Sequence, residues 1–338
     1  MSLVVNDLTK KYKGKIVVDK LNFRMDKPGV YALLGSNGAG KTTSIRMILG
    51  MLEKDGGNVT WNGKPLNFDT CNIGYLAEER GLYPKYSLMD QIKYFGKLRG
   101  VSGKKLDDKI KYWAKKLQVE EYLYIHYEGI EKGKIGSITN VNANKSILGR
   151  KQTSSIKKVK PKSADQLSKG NQQKIQFLIA MISDPELLVL DEPFSGLDPV
   201  NTDILKEVVR EQIAAGKYII MSSHQMEVVE EFCTDITILH RSKAVVSGNL
   251  NDIKKSYGRV NLILKVEQDV TEYIEKSGAA ILSEKEHEYS IRVTGDEQAN
   301  QLLKALIDAG IYIVRFDLSE LSLHEIFVRE VGDEVVSE

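Results

Sequence analysis

No stretch of this chain is apolar for long enough to cross a bilayer. The longest hydrophobic runs, such as Leu187 to Leu190, are of strand length, well short of the ~18 to 20 residues that a spanning helix needs. If the protein acts at a membrane, other chains supply the spanning segments. Cysteine is equally scarce: Cys71 and Cys233 are the whole complement, too few for a disulfide framework and suited to a reducing compartment, so the chain reads as cytosolic. An excess of charge is missing as well. The formal net charge is +2, so no global field recommends nucleic acid or a membrane surface as partner. The opening MSLVVNDLTKKYKG lacks the apolar core of a signal peptide. Apolar material is plentiful, at 42% of 338 residues, which argues against disorder and suffices for one large domain plus a smaller one.

Short strand-like runs open the chain, at Leu3 to Leu8, Ile16 to Phe23 and Val30 to Leu34, the last entering a glycine-rich loop with a helix from about Lys41 to Leu52 behind it. From Leu88 to Leu117 the spacing turns helical, with Ile92, Phe95 and Leu98, then Ile110, Trp113 and Leu117, predicting a separate helical lobe. After Gln166 come a helix through Ile175 and Ile179, a buried strand at Leu187 to Leu190, a helix at Thr202 to Ala215 and a strand at Tyr218 to Ser222. That alternation predicts a largely parallel sheet flanked by helices. Beyond Gly248 a second unit follows in β-α-β-β-α-β order with a final short helix near Leu323 to Val328, a ferredoxin-like pattern. The expected organisation is therefore a domain over 1–248, with a helical lobe at about 85–182, a small α+β domain over 249–330 and a tail at 331–338. Tyr124 to about Asp165 stands apart: Gly, Ser, Asn and Lys dominate, and nine basic residues face three acids. Its composition predicts a solvated, partly mobile inserted loop, while the alternation of Ile135, Ile138, Val141 and Ile147 around Asn142 to Asn144 is also that of a hairpin.

The strongest local signal is GSNGAGKTT, comprising Gly35, Ser36, Asn37, Gly38, Ala39, Gly40, Lys41, Thr42 and Thr43, set between an apolar strand and a helix. This is the Walker A spacing. Its glycines let the backbone turn tightly against phosphate, so that successive N–H groups and the helix N-terminus face the anion. Lys41 then reaches the β- and γ-phosphates, and the Thr42 hydroxyl serves Mg²⁺. The second signal is LLVLDEP, where an apolar strand ends in Asp191 and Glu192. Carboxylates at the C-terminal edge of a strand meet the phosphate loop in folds of this class. Asp191 is expected to hold Mg²⁺, through water, and Glu192 to polarise the water that attacks the γ-phosphate. Alone, an acidic pair after a strand is a solvated turn; the upstream Lys41 loop makes it catalytic.

Three further segments narrow the choice among nucleotide hydrolases. LSKGNQQ, at Leu167 to Gln173 just before LLVLDEP, resembles the signature of ATP-binding-cassette (ABC) proteins. SGLDP, with Asp198, resembles their D-loop, and His224 in MSSHQ resembles their switch histidine; Tyr12 in KKYKG matches the aromatic position that stacks on adenine. Each has a bland alternative, since a lone Tyr is a surface or core aromatic, a lone His at a strand end is a hydrogen-bonded histidine, and Ser168 with Gly170 is an ordinary helix cap. Five motifs in order, over about Ser2 to Gly248, make the resemblance specific. It implies a P-loop NTPase fold of the ABC type, α/β with a helical subdomain, and an ATP-hydrolysing activity with ATP and Mg²⁺ as ligands. It also implies a head-to-tail pair of cassettes, in which Ser168 and the Gly170 backbone of one cap the nucleotide held by the Walker loop of the other.

Two departures stand out. Lys169 and Asn171 replace residues of the usual LSGGQ, adding a positive charge near the partner's phosphates. Glu78, in IGYLAEERGLYP, occupies the place of the usual Q-loop glutamine, where a carboxylate can ligate Mg²⁺ directly but adds negative charge beside the phosphates. That segment and the ferredoxin-like appendage ending in LSLHEIF resemble the family's bacterial exporter branch, grouped with sodium and drug extrusion. The resemblance implies transmembrane permease subunits and a second cassette as partners at the cytoplasmic face of the membrane, with no nucleic acid expected. The competing reading is a soluble cassette ATPase acting on ribosomes or nucleic acid, for which the basic insertion is the one encouragement. A catalytically dead regulatory cassette is discouraged by intact Lys41, Asp191, Glu192 and His224.

Overall fold

Residues 1–79, 81–131, 134–138 and 157–332 are described by the computed structural model. Their largest feature is a ten-stranded sheet in two halves. In one half, Ile73–Leu76, Leu187–Asp191, Tyr218–Ser223, Gly29–Leu34 and Asp235–His240 lie side by side, all parallel. Their continuous apolar sequences are what a strand buried on both faces requires. Period-two alternation divides the burden: Val30, Ala32 and Leu34 enter one core, Tyr31 and Leu33 the other.

The strands named by the alternation are parallel as predicted, and antiparallel pairs extend the sheet beyond them. Lys243–Asn249 runs antiparallel to Asp235–His240, and Leu3–Tyr12 pairs antiparallel with both Lys15–Met25 and Gly56–Trp61. The cause is local. Lys13-Gly14 and Arg241-Ser242 both have positive φ at the two central positions, the geometry of two-residue hairpin turns, which can only join antiparallel neighbours.

The helical lobe forms as Leu88–Leu98 and Gly103–Lys116. Ile110, Trp113 and Leu117 are buried as the spacing predicts, but Leu98 is 64% exposed. The inward face of the first helix runs instead through Leu88, Ile92 and Gly96. A Cβ at Gly96 would lie 2.5 Å from Leu106 Cδ1, so glycine is what lets the second helix approach. Within the basic insertion, His126–Glu131, Lys134–Ile138 and Lys157–Val159 form a three-stranded antiparallel sheet, where composition predicts a loop. The hairpin around Asn142 to Asn144 lies outside the described residues.

The second unit has the expected β-α-β-β-α-β order, with Arg259–Val266, Ala280–Lys285, Glu288–Arg292 and Ile313–Glu320 as an antiparallel four-stranded sheet around Leu262, Leu264, Tyr289 and Leu302. Its last helix behaves differently. In Leu323–Val331, the residues Leu323, Ile326, Phe327 and Val331 join the core of the large unit, with Val228, Val229 and Phe232. The Leu323 amide donates to Glu230 at 2.7 Å, and Lys254 Nζ reaches the same carboxylate at 3.1 Å. Phe327→Ala is therefore expected to cost about 3–5 kcal/mol. Hydrogen exchange should locate the loss in Met226–Phe232, and unchanged protection there would contradict this packing.

Candidate functional site

Four neighbouring parallel strands deliver their carboxyl ends to one edge of the sheet, where ligands bind in open α/β folds. Gly29–Leu34 leads into the glycine-rich loop, Tyr218–Ser223 into His224, Leu187–Asp191 into Glu192, and Ile73–Leu76 toward Glu78. In the loop, Ala39 N–H donates to Ser36 O at 3.2 Å, which leaves Asn37 and Gly38 exposed at the tip. Gly40, with φ 109°, caps the helix Lys41–Ile48, and a Cβ there would lie 2.6 Å from Val17 O. Only glycine tolerates both the backbone angle and the contact. Gly40→Ala is accordingly expected to displace the loop and weaken nucleotide binding at least about tenfold, as measured by calorimetry; unaltered affinity would count against this close fit.

Lys41 Nζ donates to Gly35 O at 2.8 Å and Ser36 O at 3.3 Å, and pairs with Glu192 Oε1 at 3.3 Å. Both side chains are nearly buried, at 7% and 5% exposure, so the pair is shielded from solvent screening. The other Glu192 oxygen lies 2.9 Å from His224 Nδ1. Glu192 itself has φ 49°, a strained setting for a side chain of its size and one that clusters at functional positions. Its backbone is held on both sides: the N–H donates to Ser222 Oγ at 3.0 Å, and Gln173 Nε2 donates to Pro193 O at 2.7 Å.

Asp191 is fully buried, and its Oδ1 accepts from the hydroxyls of Ser222 and Thr42, the latter at 3.2 Å. Burial pushes its carboxyl above the usual carboxylate range; the two hydroxyls oppose that shift, and the charges of Glu78 and Glu192 add to it. Tyr75 nearby is pushed up to about 12, first by burial and then by the Asp191 charge. Thr42 Oγ1 also lies 3.4 Å from Glu78 Oε2. The oxygen donors Thr42, Asp191 and Glu78 are the kind a hard cation takes. Asp191 Oδ2 is buried with no hydrogen-bond partner among the described residues, so the donor set fits Mg²⁺ with an acceptor to spare.

The remaining predicted residues lie elsewhere. Tyr12 sits in the hairpin that reaches the loop through Val17, 47% exposed, with Lys10 Nζ 5.4 Å from its ring centre. Ser168 caps the helix Lys169–Met181, accepting from Asn171 N–H at 3.3 Å, and is exposed. Asp198 caps the helix Pro199–Ala214, accepting from Asn201 N–H at 2.9 Å. Asn201 joins these two caps, since its amide bonds Asp198 and lies 2.8 Å from where a Gly170 Cβ would be. The structure thus makes two assemblies, one around Lys41, Thr42, Asp191, Glu192, His224 and Glu78, the other around Ser168, Gly170 and Asp198. Ser222 and Gln173 were missed by sequence reasoning. Ser222 had a signal, two residues before His224 on a strand that pairs Asp191 with it.

Residues 18–195 match the family described as ABC transporter, and residues 248–331 match the C-terminal domain of DrrA1-3-like ATP-binding proteins. An uncharacterized ABC transporter ATP-binding protein of Bacillus subtilis is 37% identical over 332 residues, covering 98% of each chain. The Nod factor export ATP-binding protein I of Rhizobium etli is 28% identical over 252 residues, covering 73% of this chain and 68% of that one. A solved ATP-binding subunit of an ABC transporter superposes with a TM-score of 0.60 at 25% identity, covering 76% of this chain and 93% of that one.

Proposed function

The chain belongs to the ABC transporter family of ATP-binding proteins, and on that premise we propose that it powers an exporter as half of a head-to-tail pair of cassettes, with its permease at the cytoplasmic face of the membrane. That it is the ATP-binding, ATP-hydrolysing subunit of a transporter follows from the family. Membership of that family implies permease partners, and among the described residues no helix is long and apolar enough to cross a membrane.

The observation that supports the paired reading is the exposed helix cap at Ser168. Ser168 is exposed at a helix N-terminus and bonded within its own turn, a position able to meet a phosphate brought by another subunit. Asp198, fixed through Asn201 to the Gly170 turn, lies beside the facing nucleotide in this arrangement. Tyr12 presents a half-exposed ring for the adenine. The loop backbone from Gly35 to Thr43 and the Lys41 ammonium hold the phosphates. Glu192, its Oε2 against His224, accepts the proton of the attacking water, and His224 orients that carboxylate toward the γ-phosphate. Thr42 and Asp191, with Glu78 beside them, would hold Mg²⁺, which when bound would supply neutralisation of phosphate charge. Export rests on the tail and on the relatives: the C-terminal match is to a DrrA1-3-like domain, and one relative is a Nod factor export protein. For action on ribosomes or nucleic acid the basic insertion remains the one encouragement.

Turnover of the purified chain should rise more steeply than linearly with protein concentration, because two copies complete each site; strictly linear dependence down to nanomolar concentration would refute the pairing. His224→Ala should lower kcat by about a hundredfold with ATP affinity kept. Equal loss in binding and turnover would contradict its role.

A further inference from the structure

We infer that Glu78, with Asp191 and Thr42, forms a divalent-cation site that loads before the nucleotide arrives, so that ATP binds to a chain already carrying its metal. The inference rests on the metal role proposed above and deepens it. Two carboxylates converge on a single neutral hydroxyl: Thr42 Oγ1 lies 3.2 Å from Asp191 Oδ1 and 3.4 Å from Glu78 Oε2. One hydroxyl hydrogen cannot serve both well, and both distances are at the long end for a hydroxyl donor. Asp191, with no solvent exposure, also keeps Oδ2 without a hydrogen-bond partner among the described residues. Among the described residues the nearby cations are directed elsewhere. Lys41 is turned to Glu192 and to the Gly35 and Ser36 carbonyls, and Arg46 pairs with Glu79 at 3.9 Å. Two carboxylates thus share one polar atom, an arrangement a small divalent ion satisfies with water completing its shell.

The charge count sets the order of events. With a neutral amide at position 78, Asp191 would be the one charged ligand, and the metal would depend on nucleotide phosphates for most of its coordination. With Glu78, the protein offers two charges of its own, enough to hold the ion by itself. The same second charge repels an incoming triphosphate unless the ion is already there. Metal and nucleotide affinity should therefore respond to Glu78 in opposite directions, which a structural role for this exposed side chain would not produce.

The test uses the full chain and Mn²⁺ as probe, followed by electron paramagnetic resonance without nucleotide. The wild-type chain is expected to bind one Mn²⁺, and Glu78→Gln to bind it at least about tenfold more weakly, while Glu79→Gln, one residue along, matches wild type. In excess EDTA, Glu78→Gln should bind ATP more tightly than wild type does by calorimetry. Absence of Mn²⁺ binding by wild type, equal Mn²⁺ binding by Glu78→Gln, or unimproved metal-free ATP binding would each overturn the inference. ATP hydrolysis by the same wild-type preparation tests the proposed function separately: a chain that hydrolyses ATP yet binds no Mn²⁺ alone loses this inference and keeps that reading.

Discussion

Glu192→Gln is expected to cut steady-state phosphate release by about 10²- to 10⁴-fold, the range a positioned general base supplies, while ATP still binds. Glutamine has the shape of glutamate, so the Ser222 bond to the backbone N–H and the Gln173 contact behind Pro193 persist. What it lacks is a basic oxygen facing His224 and a charge facing Lys41. Freed of its carboxylate partner, Lys41 gives its whole charge to the phosphates, which favours the ATP-bound form further. Size-exclusion chromatography with light scattering should then find a stable dimer in ATP and a monomer in ADP. Unchanged phosphate release would refute the assignment of Glu192 as base.

Lys41→Ala should weaken ATP binding at least about a hundredfold, since two charge-assisted hydrogen bonds of about 1.5–3 kcal/mol each are lost. A second effect follows from burial. Glu192 is 5% exposed and Lys41 is its ion-pair partner at 3.3 Å, so the variant leaves a carboxylate against His224 alone, beside the equally buried Asp191. Removing one member of a buried pair costs about 3–5 kcal/mol. The variant should accordingly melt earlier than wild type, and Lys41→Ala combined with Glu192→Gln should recover much of that loss without recovering binding. Normal ATP affinity in calorimetry would contradict the phosphate-loop assignment, and an unaltered melting temperature would contradict the buried pair.

The parallel half of the sheet was legible because its strands must be apolar on both faces, and runs such as Leu187 to Leu190 advertise that directly. The antiparallel half was harder. Asn62-Gly63 is a strong turn signal between Gly56–Trp61 and Lys64–Pro65, whereas Arg241-Ser242 turns just as tightly with no glycine to mark it. The helix at Leu88 misled because Phe95 and Leu98 are apolar at helical spacing, yet a close approach at Gly96 decides which side faces in. At the proposed site, motifs point to Lys41 and Thr42 at the start of a helix and to Asp191 and His224 at the ends of strands. Ser222 and Gln173 act through backbone atoms of residues far off in sequence, and no local pattern announces such contacts. The destination of the last helix was likewise invisible: its apolar stripe says that it packs, and nothing in it says against what.

That helix imposes a schedule on synthesis. Val228, Val229 and Phe232 leave the ribosome long before Leu323, Ile326 and Phe327, which cover them. About 90 residues intervene, roughly 4 to 20 s of elongation at ordinary speeds. Throughout that interval the nascent chain carries a greasy seam a few residues from His224, a natural foothold for a chaperone, and the cassette seals only once translation has passed the small sheet.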